Sequence, residues 1–217
     1  MAYTIHDEFY IPLVDVTIDL DRLHAEVTKY VAPVQNDYGL TCLSEDVNNN
    51  IFDFQKYSGL RKDIKSNIML LPTGHIETDV IHWPRLLQGS YIQQIGIMLA
   101  DYLNLTPPRC RLSYFNNRAE KASVPFHNDT HTPYRVHIVL ETTTECKWRY
   151  RRKVGEEEYS LHQPVSIHPV LINTADIQHS IEIPKYNNRM HLWYQFHSRP
   201  DQKFIDTLIE KYKSIIN

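Results

Sequence analysis

The chain has 217 residues, 42% of them hydrophobic and 23% charged, a balance that allows one sizeable domain and excludes a largely disordered polymer. A formal net charge of -3 gives no bulk attraction to nucleic acid or to an anionic membrane, so neither is expected as a partner. No stretch reaches the roughly 20 apolar residues of a membrane span, and the start MAYTIHDEFY lacks the basic and apolar runs of a signal peptide.

In chain order, residues 19 to 31 (DLDRLHAEVTKYV) carry Leu20, Leu23, Val27 and Tyr30 at helical spacing behind acidic residues. Ser90 is placed to cap a second helix, whose Ile92, Ile95, Leu99, Tyr102 and Leu103 form one apolar stripe ending before Pro107-Pro108. After those prolines the period changes from helical to alternating. RCRLSYF (109–115), YRVHIVLE (134–141) and KWRYRR (147–152) read as strands, as do 157–161, 169–173, 179–183 and 189–196. Lys153-Val154-Gly155-Glu156 fits a hairpin turn between two of them. Pro200 then opens a terminal helix with Phe204, Ile205, Leu208, Ile209 and Tyr212 on one face. The pattern predicts a mainly β fold with flanking helices, built on a double-stranded β-helix of jelly-roll, cupin-like type. A helix-covered sandwich of another topology accommodates the same pattern. The expected organisation is a partly helical scaffold over 1–108, the β core over 109–197 and a helix over 198–217, together one compact unit.

His127-Asn128-Asp129 places two metal-ligand side chains two residues apart. In extended backbone such residues project to the same side, so an imidazole and a carboxylate can meet one ion. A third ligand must come from elsewhere, and His179 opens a predicted strand 50 residues after Asp129. Two histidines and one carboxylate leave coordination positions open, which suits non-haem Fe(II) binding a co-substrate and oxygen together. A structural zinc site would require four closed ligands, usually with Cys. Cys42, Cys110 and Cys146 are distant from the tripeptide and from one another, which excludes a disulfide framework and leads us to expect a cytoplasmic protein. An H-x-D tripeptide alone also fits a surface turn in which Asp129 caps a backbone amide.

Arg189 lies 10 residues after His179 on the strand RMHLWYQF. Alternation puts Arg189, His191, Trp193 and Gln195 on one face and the apolar Met190, Leu192, Tyr194 and Phe196 on the other. In YRVHIVLE, Arg135 and His137 likewise oppose Val136, Ile138 and Leu140. An arginine facing a barrel interior is costly unless it meets an anion, which its fork can grip in two places. The alternative places both arginines in solvent and buries the other face.

With H-x-D, a distal His about fifty residues on and an Arg about ten further, the sequence resembles the Fe(II)/2-oxoglutarate-dependent oxygenases. Within them it is most similar to the aspartyl/asparaginyl β-hydroxylase-like group, which includes free-proline hydroxylases. The carriers are HNDTHTPYRVHIVLET, with an R-x-H pair after the first ligand, and NTADIQHSIEIPKYNNRMHLWYQF. The resemblance covers roughly residues 109 to 197. It implies that iron is held by His127, Asp129 and His179, and that Arg189 binds the distal carboxylate of 2-oxoglutarate with help from Arg135 and His137. It further implies hydroxylation of an amino acid, either free or within a peptide or protein. Some members carry Gly in place of the ligating carboxylate; Asp129 puts this chain with the three-ligand members.

The remaining histidines His131, His162, His168 and His197 are assigned to strand ends or the surface. Arg149, Arg151, Arg152 and Lys153 read as a solvated basic hairpin that Glu156 to Glu158 can neutralise. Trp148 and Trp193 fit either a substrate pocket or the core. Two rival functions use the same fold: a cupin-type metalloenzyme with no need of 2-oxoglutarate, and a non-catalytic jelly-roll binding module.

Overall fold

A computed structural model describes residues 3–31, 38–42, 88–106, 108–116, 122–129, 132–184 and 188–216. Four helices and ten strands lie among them, in the order α1 (Ile5–Phe9), β1 (Tyr10–Pro12), α2 (Leu20–Val31), β2 (Tyr38–Cys42), α3 (Tyr91–Leu103), β3 (Arg109–Asn116), β4 (Ala122–His127), β5 (Tyr134–Glu141), β6 (Lys147–Arg151), β7 (Tyr159–Leu161), β8 (Val170–Asn173), β9 (Gln178–Ile183), β10 (Asn188–Phe196) and α4 (Gln202–Ile216). The strands form two antiparallel sheets, one ordered β1-β8-β5-β10-β3-β2 and the other β4-β9-β6-β7. In both sheets, strands distant in sequence lie side by side, which is the mark of a double-stranded β-helix: the chain winds between sheets and each strand pairs with one from a later turn. The mainly β jelly-roll fold is therefore the one adopted.

Each predicted strand is present within one or two residues of its expected bounds. Sequence periodicity missed α1, β1, β2 and β4. β1 extends the larger sheet through pairing of Tyr10 with Ile172 and Pro12 with Val170, so the first residues of the chain belong to the sheet itself.

Both faces of the larger sheet are covered, which is why β5 is buried at seven of its eight positions. Its outer face presents Val136, Ile138, Leu192, Tyr194 and Phe196 to the helices. There they pack with Leu23 and Val27 of α2, Ile92, Ile95 and Leu99 of α3, and Ile205, Leu208 and Ile209 of α4. The helices are fixed to one another by polar contacts as well. Ser90 caps α3 by accepting from the Gln93 amide, as expected. The Glu26 carboxylate takes the neighbouring Tyr91 and Ile92 amides at 3.2 and 2.9 Å, supplying acceptors to a helix start that would otherwise lack them. None of the described helices is long and apolar enough to cross a membrane.

The inner faces of the two sheets meet in a second apolar cluster formed by Phe9, Tyr10, Trp148, Tyr150, Ile172 and Ile181, among others. Phe9 stacks on Tyr150 at 4.5 Å between ring centroids, and burying such a ring stabilises the fold by about 1.5–3 kcal/mol. This cluster fills one part of the interior, and the polar inward side chains of β5 and β10 fill the rest.

Candidate metal centre and the buried cationic chamber

His127 ends β4 and lies directly opposite His179 of β9 in the sheet. The ladder is irregular between Val124 and His127, where Pro125 has no amide hydrogen to give it. Such an irregularity re-aims the side chain that follows it. The His127 and His179 rings end 4.4 Å apart between centroids. Asp129 stands just beyond the strand, its amide bonded to the Thr174 carbonyl at 2.8 Å, while the Asn128 side chain donates to the Ala175 carbonyl at 2.8 Å. The H-x-D segment is thus anchored on the turn that leads into β9.

Both imidazoles have their tautomer set by the backbone. His127 Nδ1 lies 2.8 Å from the Pro125 carbonyl and His179 Nδ1 lies 3.3 Å from that of Ile177. A carbonyl only accepts, so each Nδ1 carries the hydrogen and each Nε2 keeps a free lone pair. His179 Nε2 is 3.2 Å from Asp129 Oδ2, and His127 Nε2 is 3.8 Å from Oδ1. One ligand atom from each of the three residues falls within 4.8 Å of the others, the only such convergence among the described residues. The donor set fits a divalent transition metal of borderline softness.

Arg135 closes the other side of the carboxylate, with Nη2 2.6 Å from Asp129 Oδ1. Burial alone would raise the Asp129 carboxyl, but the Arg135 charge outweighs it and holds the group well below the usual carboxylate range. Burial, with the neighbouring His179, lowers His127, which keeps it in the neutral form that a metal needs.

Behind the triad lies a chamber walled by aromatic rings. The Trp148 ring centre is 5.7 Å from that of His179 and 5.2 Å from that of His137. His137 stacks on Trp193 at 5.5 Å, and the Arg135 guanidinium sits over the same indole at 4.9 Å. Arg189 lies over Trp148 at 5.1 Å. Arg189, only 3% exposed, has no carboxylate beside it among the described residues. Its contacts include the Trp148 ring and His191 Nδ1, the latter at 3.0 Å. Burial pushes its guanidinium down to about 9, which leaves it charged at neutral pH. His137 is buried with neither ring nitrogen hydrogen-bonded, and burial together with Arg189 and Arg135 lowers it well below its ordinary value.

Every site residue picked out in the sequence therefore lies in or beside one interior region: His127, Asp129 and His179 at the candidate metal centre, Arg135 between it and the chamber, and His137 and Arg189 in the chamber. Arg135 has the closest contact of all, and it is with the Asp129 carboxylate. Two chamber residues were not singled out from sequence. His191 contacts Arg189, and Gln163 accepts from the Trp148 indole at 2.9 Å while its own amide nitrogen is buried without a partner. Alternation marked the face of His191; no sequence signal marked Gln163, which lies outside any strand.

No other described histidine joins the three-ligand cluster. His131 lies outside the described residues. His162 and His168 donate through Nδ1 to the carbonyls of Cys146 and Val16 at 3.2 and 2.9 Å. In the basic hairpin Arg149 and Arg151 both pair with Glu158, as expected, whereas Arg152 pairs with Glu8 of α1 instead.

No protein-family model and no curated protein matches the sequence. Among solved structures, the chain is similar to a Pseudomonas putida prolyl-4-hydroxylase at 14% identity and a TM-score of 0.45, over 88% of this chain and 94% of that one. It is similar to IDO from Bacillus thuringiensis at 9% identity and 0.46, over 93% and 98%. It is also similar to SnoN, a non-haem alpha-ketoglutarate-dependent epimerase from nogalamycin biosynthesis, at 10% identity and 0.45, over 93% and 85%.

Proposed function

We propose that this protein is an Fe(II)- and 2-oxoglutarate-dependent dioxygenase that hydroxylates an amino acid, free or within a peptide or protein. The observation that carries the reading is Arg189: a buried guanidinium that meets no carboxylate among the described residues, in the same chamber wall as a candidate three-ligand metal centre. Placing a charge there costs stability unless an anion from outside meets it. A metalloenzyme that needed no such co-substrate, or a binding module without metal, would have no use for that combination.

In this reading His127, Asp129 and His179 hold the metal and Arg189 grips the distal carboxylate of the co-substrate. Bound iron and 2-oxoglutarate supply the oxidising power, with 2-oxoglutarate decarboxylated to succinate as oxygen is used. The protein's own part is positional. The backbone carbonyls of Pro125 and Ile177 keep both ligating nitrogens unprotonated, and Arg135 keeps Asp129 ionised and directed. His137, neutral and unpartnered, offers a further hydrogen-bonding group to the co-substrate. Trp148 and Trp193 make the chamber a low-dielectric space in which these few polar contacts count strongly. The amino-acid substrate class rests on the R-x-H-bearing stretch from His127 to Thr142 and its likeness to the aspartyl/asparaginyl β-hydroxylase-like group.

Anaerobic addition of 2-oxoglutarate to the Fe(II) protein is expected to give a weak visible charge-transfer band. Folded, iron-loaded protein with no such band sinks the proposal. Succinate release across a panel of free amino acids and peptides then identifies the substrate.

A further inference from the structure

Asp129 lies beyond the end of β4 and before the start of β5, outside either strand. Its carboxylate is nevertheless set between two partners, with Oδ2 3.2 Å from His179 Nε2 and Oδ1 2.6 Å from Arg135 Nη2. A metal ligand has to be kept within about 0.5 Å of its working position, which is the task of the groups around it. Thr174, fully buried where β8 turns into β9, is bonded along the segment that carries Asp129. Its carbonyl accepts from the Asp129 amide at 2.8 Å, and its amide donates to the Pro133 carbonyl at 3.0 Å. Between these two bonds, its hydroxyl donates to the Thr132 carbonyl at 2.7 Å. Thr132 in turn gives its amide to the Asp129 carbonyl at 3.3 Å, and its own hydroxyl accepts from Arg135 Nη2 at 3.4 Å. The turn that holds Thr174 is braced from its other side. Asp176 accepts from the Asn173 amide side chain and from two nitrogens of Arg199. Any residue could make the two backbone bonds of Thr174. The third needs a hydroxyl, and β-branching limits the directions in which Thr can aim it.

We infer that Thr174 is a positioning residue for the metal centre: its hydroxyl ties the chain after Asp129 to the β8–β9 turn and so sets the Asp129 carboxylate against His179. The inference rests on the proposed metal binding by His127, Asp129 and His179, and not on the use of 2-oxoglutarate. It gives the two halves of the ligand set a common frame. His179 follows Thr174 along the chain into β9, while Asp129 is hydrogen-bonded to Thr174 directly, so one residue governs the separation of the two ligands.

The test uses the full chain under argon, with Fe(II) affinity from titration and ligand geometry from the visible bands of the Co(II)-loaded protein. Thr174→Val keeps the shape of the side chain and removes only the hydroxyl. It is expected to weaken Fe(II) by about tenfold or more, the range for losing a group that orients a metal ligand, and to shift the Co(II) bands. Thr174→Ser restores the hydroxyl and should bring affinity back to within about threefold of the parent. The control for general loosening is Tyr194→Phe. It removes a buried hydroxyl that donates to the Ile92 carbonyl, also at 2.7 Å, on the helix-covered face of the larger sheet. Its Fe(II) affinity and Co(II) bands should match those of the parent. Thr174→Val protein with parental Fe(II) affinity and Co(II) bands overturns the inference, and so does an equal loss in Tyr194→Phe. If Thr174→Val does not fold, Thr174→Ala, which cannot overpack the site, is measured in its place against the same outcomes. Parent protein that binds neither Fe(II) nor Co(II) fails differently, because it removes the metal centre itself. Parent protein that binds Fe(II) but no 2-oxoglutarate overturns the proposed function and leaves the role of Thr174 to be decided by the variants.

Discussion

Asp129 has to meet two demands that conflict in a buried site. In the proposed function it must remain a carboxylate to hold a metal, and it must do so where desolvation favours the neutral acid. Arg135 resolves the conflict at 2.6 Å. This gives the two inward arginines separate effects, which a pair of variants can separate. Arg135→Met is expected to weaken Fe(II) by about 10–100-fold, the range for losing a group that orients a metal ligand. Arg189→Met is expected to leave Fe(II) affinity intact and to raise the 2-oxoglutarate requirement instead. Fe(II) titration and 2-oxoglutarate saturation on both proteins check the crossing pattern; if Arg135→Met altered only 2-oxoglutarate, Asp129 would not depend on it. The sequence made half of this visible. His127 and Asp129 could be paired because an i, i+2 spacing in extended chain converges without any knowledge of the fold. The Arg135–Asp129 contact depends on the path of the chain between β4 and β5, and no periodic pattern encodes that path. Similarly, alternation placed His191 beside Arg189 on one face, whereas their contact is read only from the Nη2 to Nδ1 distance.

At the level of elements, legibility followed length and period. β5 and β10 could be read because eight and nine residues of clean alternation leave no other interpretation. β1 has three residues and ends in Pro12, and β4 is interrupted by Pro125; both fall where proline argues against a strand. The terminal helix α4 was legible by its stripe, but not its attachment. Lys213 pairs with Asp7 of α1 at 2.8 Å, and Lys211 pairs with Asp15, so α4 clasps the N-terminal segment on both sides of β1. Burial would raise the Asp7 carboxyl, but hydrogen bonds from Lys213 and Thr4 outweigh it and lower the group. A carboxyl lowered on folding adds stability above its unfolded value near 4, and that stability is lost as pH falls through the lower folded value. Asp7→Asn keeps an acceptor for the Thr4 cap and removes the charge. It is expected to cost up to about 1 kcal/mol at pH 7 for a half-screened pair, with the difference from the parent narrowing at about pH 3, below the unfolded value. Urea unfolding at the two pH values measures this. A gap that persists in acid would mean that Asp7 acts through the cap alone.

Across the whole molecule, the larger sheet separates two interiors of opposite character. Outside it, the helices bury an ordinary apolar layer; inside it, Arg135, His137, Arg189 and His191 occupy positions that a purely structural barrel would fill with aliphatic side chains. The alternation of β5 and β10 told the polar face from the apolar one, and it could not tell which of them was enclosed. In most sheets the polar face is the wet one, and the second sheet, which closes over the polar side, reverses this here. The reversal has a measurable consequence, because a buried cation that meets no carboxylate among the described residues is a burden on the ligand-free fold. Replacing Arg189 by Met preserves volume and removes that charge, a change that is commonly neutral or stabilising by about 1–4 kcal/mol at buried ionic positions. The parent should instead recover stability on binding: Fe(II) with 2-oxoglutarate at about 100 times its Kd is worth roughly 2.7 kcal/mol. For a chain of this size that corresponds to a Tm rise of about 5–10 °C. Thermal unfolding under argon should therefore show the two proteins exchanging rank: Arg189→Met equal or higher without ligands, and the parent higher once both are added. His179→Ala, which removes a ligand from the metal centre, should show no iron-dependent rise. An Arg189→Met protein that melts well below the ligand-free parent would mean that the folded interior already compensates the guanidinium, and the case for an external carboxylate would fall with it.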